Sequence, residues 1–307
     1  MTNNLVDTSP RSLGSDLSVG PIAYGQWRYT NDDLATAQGL LETALDAGMN
    51  LIDTADVYGF DWGGTGFGSV EVLLGRVLAA APQLRDRMVL ATKGGIIPPA
   101  PYDSSDAYLR SAVDASLSRL NTDVIDLYQI HRPDLFAHPA QVAETLASLR
   151  AEGKIREVGI SNYTTDQYEA LAAHLPFPLS STQPEFSVLR LTPMRDGTFD
   201  KAMRDGITPL AWSPLGGGRL FGEPDVIDAN APNPELIELL DVIAEREGVD
   251  RAAVAVAFVL SHPARPVAII GTQNPDRIRS ANDALGINLT RADVYGIVQA
   301  SEGVPLP

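Results

Sequence analysis

Short apolar runs alternate with longer amphipathic stretches along almost the whole chain. Residues 12–19 alternate in polarity around Gly14-Ser15, which predicts a small hairpin. Residues 21–25 read as a first core strand ending at Gln26-Trp27. Leu34, Ala37, Leu41, Ala44 and Leu45 recur at helical spacing. Asp32 or Asp33 caps that helix, and Gly48 stops it after about residue 47. A second strand covers 50–55, and Ser69, with Glu71 nearby, opens a helix through 78. Strands follow at 88–92, 124–130 and 155–160, separated by helices at 105–120 and 140–151. A helix at 165–173, a short strand at 181–186, a weaker helix at 195–205 and a strand at 207–212 come next. A loop rich in Gly and Pro covers 213–234, followed by helices at 236–247 and 251–260. The last strand is 267–270, with helical segments at 274–285 and near 291–300. Residues 1–11 are polar and read as a loose tail.

Eight short strands alternating with helices indicate an α/β chain with parallel strands. Eight units suit a closed (β/α)8 TIM barrel better than an open sheet. The expected architecture is one domain over 1–307, with an N-terminal β-hairpin and extra helices near the C-terminus.

A length of 307 residues and 44% hydrophobic content are compatible with that single barrel. The net charge of −16 argues against nucleic acid as a partner, because phosphate binding needs a basic surface. The chain has no cysteine, which removes disulfides and thiolate chemistry. The N-terminus has neither a basic nor an apolar leader segment. The longest apolar run, 252–260, is far shorter than the roughly 18–20 residues of a membrane span. The expectation is a cytoplasmic protein with no membrane partner, monomeric by default. His138, His174 and His262 lie beside prolines or on helix surfaces. No histidine pair has metal-ligand spacing, so no metal is expected.

In a barrel of this kind, chemistry sits at the C-terminal ends of the strands. Those exits carry Trp27, Asp53, Lys93, His131, Ser161 with Asn162, Gln183, Trp212 with Ser213, and Gly271 with Thr272. Turn residues are needed there in any case. Taken singly, Asp53 reads as a turn or cap residue, Tyr58 as a loop aromatic, Lys93 as a solvated strand end and His131 as a bonded core residue. A lysine and a histidine straight after buried strands are harder to place blandly, because desolvating them without partners is costly. We expect Asp53, Tyr58, Lys93 and His131 to form one site.

The combination resembles the aldo-keto reductases. The segments that carry the resemblance are Asp53-Thr54-Ala55-Asp56-Val57-Tyr58-Gly59, Thr92-Lys93, Gln129-Ile130-His131-Arg132, Val158-Gly159-Ile160-Ser161-Asn162, Gln183-Pro184-Glu185, Trp212-Ser213-Pro214-Leu215 and Ile270-Gly271-Thr272. They occur in the family's order over residues 12–285. The run Leu215-Gly216-Gly217-Gly218-Arg219-Leu220-Phe221, with His131-Arg132-Pro133-Asp134, looks most like a bacterial YdhF-type subgroup.

The resemblance implies NADPH-dependent reduction of an aldehyde or ketone to an alcohol, with NADH as the alternative cofactor. Tyr58 would donate the proton, with its pKa drawn down from about 10 by Lys93. Asp53 would hold Lys93 charged, and His131 would orient the substrate oxygen. Asp56 would only structure the loop. Gln26 and Trp27 would border the cofactor, Ser161, Asn162 and Gln183 would hold its carboxamide, and Trp212 would stack on its ring. Ser213, Leu215, Gly217 and Gly218 would lie along the pyrophosphate. Gly271, Thr272, Asn274 and Arg277 would meet the adenosine 2′-phosphate, although Gly271 stands where many members carry lysine. No Gly-x-Gly-x-x-Gly follows the first strand, so a Rossmann site is not supported. Trp27, Tyr29, Phe60, Trp62 and Phe67 flank the expected mouth as an apolar substrate pocket. The chain has no long C-terminal loop like the one that closes over substrate in many relatives, so an open pocket is expected.

Two rival readings remain at this level. Lys93 could act as a Schiff-base nucleophile in an aldolase-like barrel, which would leave Tyr58 unexplained. Alternatively, the chain could bind the nicotinamide as a redox-sensing module with slow turnover.

Overall fold

The computed structural model describes residues 4–30, 33–60, 63–222 and 232–306. Arg11–Leu13 (β1) and Leu17–Val19 (β2) form the antiparallel hairpin. The barrel strands are Ile22–Gly25 (β3), Leu51–Asp53 (β4), Val89–Gly94 (β5), Ile125–Ile130 (β6), Ile155–Ser161 (β7), Ser181–Gln183 (β8), Thr208–Trp212 (β9) and Val267–Ile270 (β10). All eight pair in parallel in chain order, and β10 joins β9 to β3 to close the ring. The chain is therefore the (β/α)8 barrel that its alternation predicts.

Ten helices accompany the strands among the described residues: Leu34–Asp46 (α1), Ser69–Ala80 (α2), Asp106–Leu120 (α3), Pro139–Ala151 (α4), Thr165–Ala172 (α5), Thr198–Asp205 (α6), Pro234–Glu247 (α7), Arg251–Leu260 (α8), Pro275–Ser280 (α9) and Arg291–Glu302 (α10). Most begin at a residue whose side chain accepts a backbone N–H, as with Asp33 before α1, Ser105 before α3 and Asp250 before α8. Asp32, the other cap candidate for α1, lies outside the described residues.

The core has two layers. Leu13 and Val19 of the hairpin pack with Ala23, Leu51, Val89, Ala91, Leu127, Leu210, Val267 and Ile269 inside the barrel. A larger apolar layer lies between strands and helices. The hairpin is anchored to the barrel by Thr208 Oγ1, which donates to the Ser12 carbonyl at 2.5 Å. At the opposite end, the strand exits are left for polar groups.

Four local readings change. Residues 4–11 are not loose: Leu5 N–H donates to Leu289 O at 2.9 Å, and Asp7 N–H to Leu260 O at 3.2 Å. Those partners lie far downstream, where a local pattern cannot reach. The helix expected at 195–205 starts only at Thr198, after a three-ten turn at Thr192–Met194. The strand expected to run to Phe186 ends at Gln183, because Pro184 has no N–H to continue the ladder.

Ser69 and Glu71 do not cap α2. Gly68 occupies the cap position of α2 with no side-chain bond, and Glu71 is fully buried. It accepts from Thr92 Oγ1 at 2.5 Å, Ser116 Oγ at 3.2 Å and Arg119 Nε at 2.7 Å. This carboxylate ties α2, α3 and β5 together. Glu71→Ala is expected to cost about 2–4 kcal/mol, since it strands Arg119 and two hydroxyls. The loss should appear as a lower urea midpoint at an unchanged slope, and an unchanged midpoint would contradict the role.

Candidate active site

Strand alternation sends Thr92 outward to Glu71 and its neighbour Lys93 into the barrel. Asp53 ends β4 one strand away, and Gln129 is the register partner of Lys93 on β6. Lys93 is 0% exposed and Asp53 is 3% exposed. Lys93 Nζ donates to Asp53 Oδ2 at 2.7 Å, to Thr54 O at 2.8 Å and to Tyr58 Oη at 3.2 Å. All three ammonium protons therefore have acceptors, which makes a buried lysine tolerable. Tyr58 follows β4 on a turn, with its N–H on Ala55 O at 3.2 Å. Its ring meets the His131 ring edge-on, with centroids 5.8 Å apart. The four expected side chains are together.

The electrostatics follow from this packing. Burial pulls the Lys93 ammonium down, but Asp53 and then Tyr58 outweigh it, so its pKa lies above the ordinary lysine value. Burial pushes the Tyr58 phenol up, and Lys93 offsets only part of that. The expected downward shift is thus reversed, because desolvation of the phenolate exceeds the attraction of one ammonium that is already shared with Asp53. Tyr58 is a protonated phenol at neutral pH. Burial, then Lys93 and Arg132, hold His131 well below the usual imidazole range, so it is neutral. Its Nδ1 is buried without a partner.

Around this group lies a second polar set. Ser161 Oγ donates to Gln183 O at 3.0 Å, and Asn162 Nδ2 donates to Ser161 Oγ at 2.8 Å and His131 O at 3.3 Å. Trp212 Nε1 donates to Asn162 Oδ1 at 3.1 Å. Asn162 takes a left-handed backbone, φ 59°, to turn its amide into this cluster. Gln183 Nε2 donates to Asp53 Oδ1 at 3.0 Å. Ser161, Asn162, Gln183 and Trp212 therefore form one connected cluster joined to the Asp53–Lys93 pair.

Residues 20–302 match the Aldo/keto reductase family. The chain belongs to the aldo-keto reductases. A 6-dehydroglucose reductase of Novosphingobium aromaticivorans is 50% identical over 300 residues, 97% of each chain. The oxidoreductase YdhF of Escherichia coli is 34% identical, over 92% of this chain and 94% of its own. The solved glycerol dehydrogenase of Gluconobacter oxydans superposes with a TM-score of 0.83 at 28% identity, over 98% of this chain and 97% of its own.

This aldo-keto reductase places the remaining expected residues unevenly. Gln26 is fully buried, and neither of its amide atoms has a partner. Ser213 has φ 51°, and Gly217 and Gly218 are left-handed at φ 68° and 92°. A Cβ on Gly217 would meet nothing within 4 Å, so this backbone faces open space. Gly218 N–H donates to Leu215 O at 3.3 Å within the same turn. Further on, Asn274 Oδ1 caps α9, accepting from Asp276 N–H at 2.8 Å and Arg277 N–H at 3.3 Å. Thr272 Oγ1 accepts from Asn274 N–H at 3.2 Å. Both side chains thus serve the turn that follows Gly271. The exposed Arg277 is the cation of this group.

The pocket aromatics separate. Tyr29 is 1% exposed, and its hydroxyl bonds the Ala37 carbonyl of α1. It is a core residue, not a pocket wall. Phe67 lies over the Arg119 guanidinium at 5.9 Å, against α3. Phe60 is 46% exposed, Trp27 is half-buried, and Trp62 lies outside the described residues. Leu135 and Phe136, four and five residues beyond His131, are 71% and 99% exposed. A surface hollow of about 570 Å³ along α7, lined by Pro232, Ile237, Val242 and Glu245, holds none of these residues. Among the described residues, no cluster of three or more His, Asp or Glu could hold a metal, and no helix is long and apolar enough to cross a membrane.

Asp56 lies behind the site. It is 1% exposed, accepts from Tyr108 Oη at 3.1 Å and has one carboxyl oxygen without a partner. Burial, then the nearby Glu71, push it up to about 8, with Tyr108 and Arg119 opposing. The fold therefore retains a proton that the unfolded chain releases near 3.8. Folding stability contributed by this group falls as pH rises from about 4 to about 8 and is level above that. Asp56→Asn should gain stability over the native chain by an amount that grows through this window, on the order of a few kcal/mol. Thermal melts at pH 5 and pH 8.5 test this, and a pH-independent difference would contradict it.

Proposed function

We propose that this aldo-keto reductase reduces an aldehyde to a primary alcohol with NADPH, with an oxidised hexose such as 6-dehydroglucose as the first substrate to try. The observation that carries the reading is the bonding of Lys93 Nζ to both Asp53 and Tyr58, beside a neutral His131. The 50%-identical relative, a 6-dehydroglucose reductase, supplies the substrate candidate.

When bound, the dihydronicotinamide supplies the hydride that the carbonyl carbon accepts. The residues prepare the other half of the reaction. As negative charge develops on the carbonyl oxygen, Tyr58 Oη delivers its proton there. Lys93 stabilises the phenolate left behind, and Asp53 keeps that lysine charged. His131, held neutral, donates a ring N–H to the same oxygen. The raised pKa of Tyr58 suits this direction, because the acid is fully loaded at neutral pH.

The residues present fit the cofactor. Asn162 and Ser161 offer polar atoms beside His131, Trp212 is pinned by Asn162, and the left-handed glycine backbone at Gly217 has room in front of it. Arg277 would hold a 2′-phosphate. Lys93 as a Schiff-base nucleophile fits less well. Such chemistry needs a neutral amine, and Asp53 keeps this one charged.

Tyr58→Phe is expected to lower kcat by about 10²–10⁴-fold while NADPH affinity holds within about twofold. NADPH oxidation over a panel of aldehydes and ketones, with fluorescence titration of NADPH, measures both. Full activity in the variant would sink the assignment. NADPH should also bind more tightly than NADH, and Arg277→Ala should erase that difference. Tighter NADH binding by the native chain would contradict the cofactor reading.

A further inference from the structure

Asp53 accepts two amide hydrogen bonds besides the Lys93 pair. Both reach Oδ1, from Gln183 Nε2 at 3.0 Å and from Gln129 Nε2 at 3.3 Å. Gln183 Nε2 also donates to Gln129 Oε1 at 3.3 Å, and Ser181 Oγ donates to that oxygen at 3.5 Å. The three side chains close a triangle. Gln129 is 0% exposed on β6, between Lys93 on β5 and Gly159 on β7 in the register. A Cβ on Gly159 would lie 2.2 Å from Ser181 Oγ and 3.0 Å from Gln129 Cγ, so the glycine makes the space this arrangement needs. A barrel interior is filled more cheaply by an apolar side chain of the same volume, unless the amide is used.

The triangle fixes a direction. A carboxylate only accepts, so both amides must turn nitrogen toward Asp53. Gln129 Oε1 then accepts from Gln183 and specifies the same orientation a second time. Gln183 Oε1 consequently faces away from Asp53, and among the described residues it accepts no hydrogen bond.

We propose that Gln129 is a positioning residue that locks the Gln183 amide, so that Oε1 is presented to the carboxamide N–H₂ of the bound nicotinamide. The inference rests on the reductase reading above. It links cofactor recognition to the carboxylate that keeps Lys93 charged.

Gln129→Met keeps length and volume and removes the amide. NADPH Kd, read by fluorescence quenching, should rise about tenfold. Gln183→Met should weaken NADPH similarly, and the double variant should be no weaker than Gln183→Met alone. A merely structural role would make the two losses multiply. Wild-type binding in Gln129→Met, or losses that multiply, would overturn the proposal. Should Gln129→Met fail to fold, ¹⁵N-glutamine labelling of the native protein supplies the test. Slow exchange of the Gln183 side-chain protons without cofactor supports the lock, and rapid exchange overturns it. A native chain that does not bind NADPH overturns both readings; one that binds while Gln129→Met binds equally well overturns this one alone.

Discussion

The rest of the site depends on one buried ammonium. Lys93 has no solvent exposure, and its charge survives because Asp53, the Thr54 carbonyl and Tyr58 take its three protons. An ion pair in a barrel interior is not an efficient way to stabilise a fold, since desolvation consumes much of the attraction. Its value here is positional. The pair brings the exits of β4 and β5 to one point and sets Tyr58 in reach of it. Burial first, and then the positive charge of Lys93, keep His131 neutral.

Behind that point the protein commits more buried polarity than a barrel needs. Glu71 and Arg119 clamp two helices to β5, and Asp56 sits between that clamp and the site with one oxygen unpartnered. In front of it, Gln129 and Gln183 complete the shell of Asp53. Each carboxylate has a distinct set of donors, although Asp53 at the end of β4 and Asp56 in the loop after it are only three residues apart. Asp53 is tied to an ammonium, whereas Asp56 faces the Tyr108 hydroxyl and lies near another acid, and it keeps its proton.

Much of this was legible in the sequence. Strand and helix periodicity located the eight barrel units because each strand is a short apolar run and each helix presents one apolar face. The strand-exit rule then gathered Asp53, Lys93, His131 and Gln183 without any contact information. What failed was long-range or energetic. The partners of residues 4–11 are carbonyls on the far end of the chain. Tyr29 stands in a loop after a strand exit, yet its hydroxyl finds the Ala37 carbonyl of α1. Glu71 stands in the first turn of α2 but satisfies a buried network instead. The direction of the Tyr58 shift depends on how far burial outweighs one shared charge, and no spacing encodes that.

The central claim is that Lys93 governs the proton of Tyr58. The most direct measurement is the titration of Tyr58 itself, followed through its ¹³Cζ resonance in tyrosine-labelled protein, in the native chain and in Lys93→Met. Removing the ammonium leaves burial and Asp53, both of which disfavour the phenolate. The Tyr58 titration should therefore move to higher pH in the variant. A titration that stays in place or moves to lower pH would contradict the account.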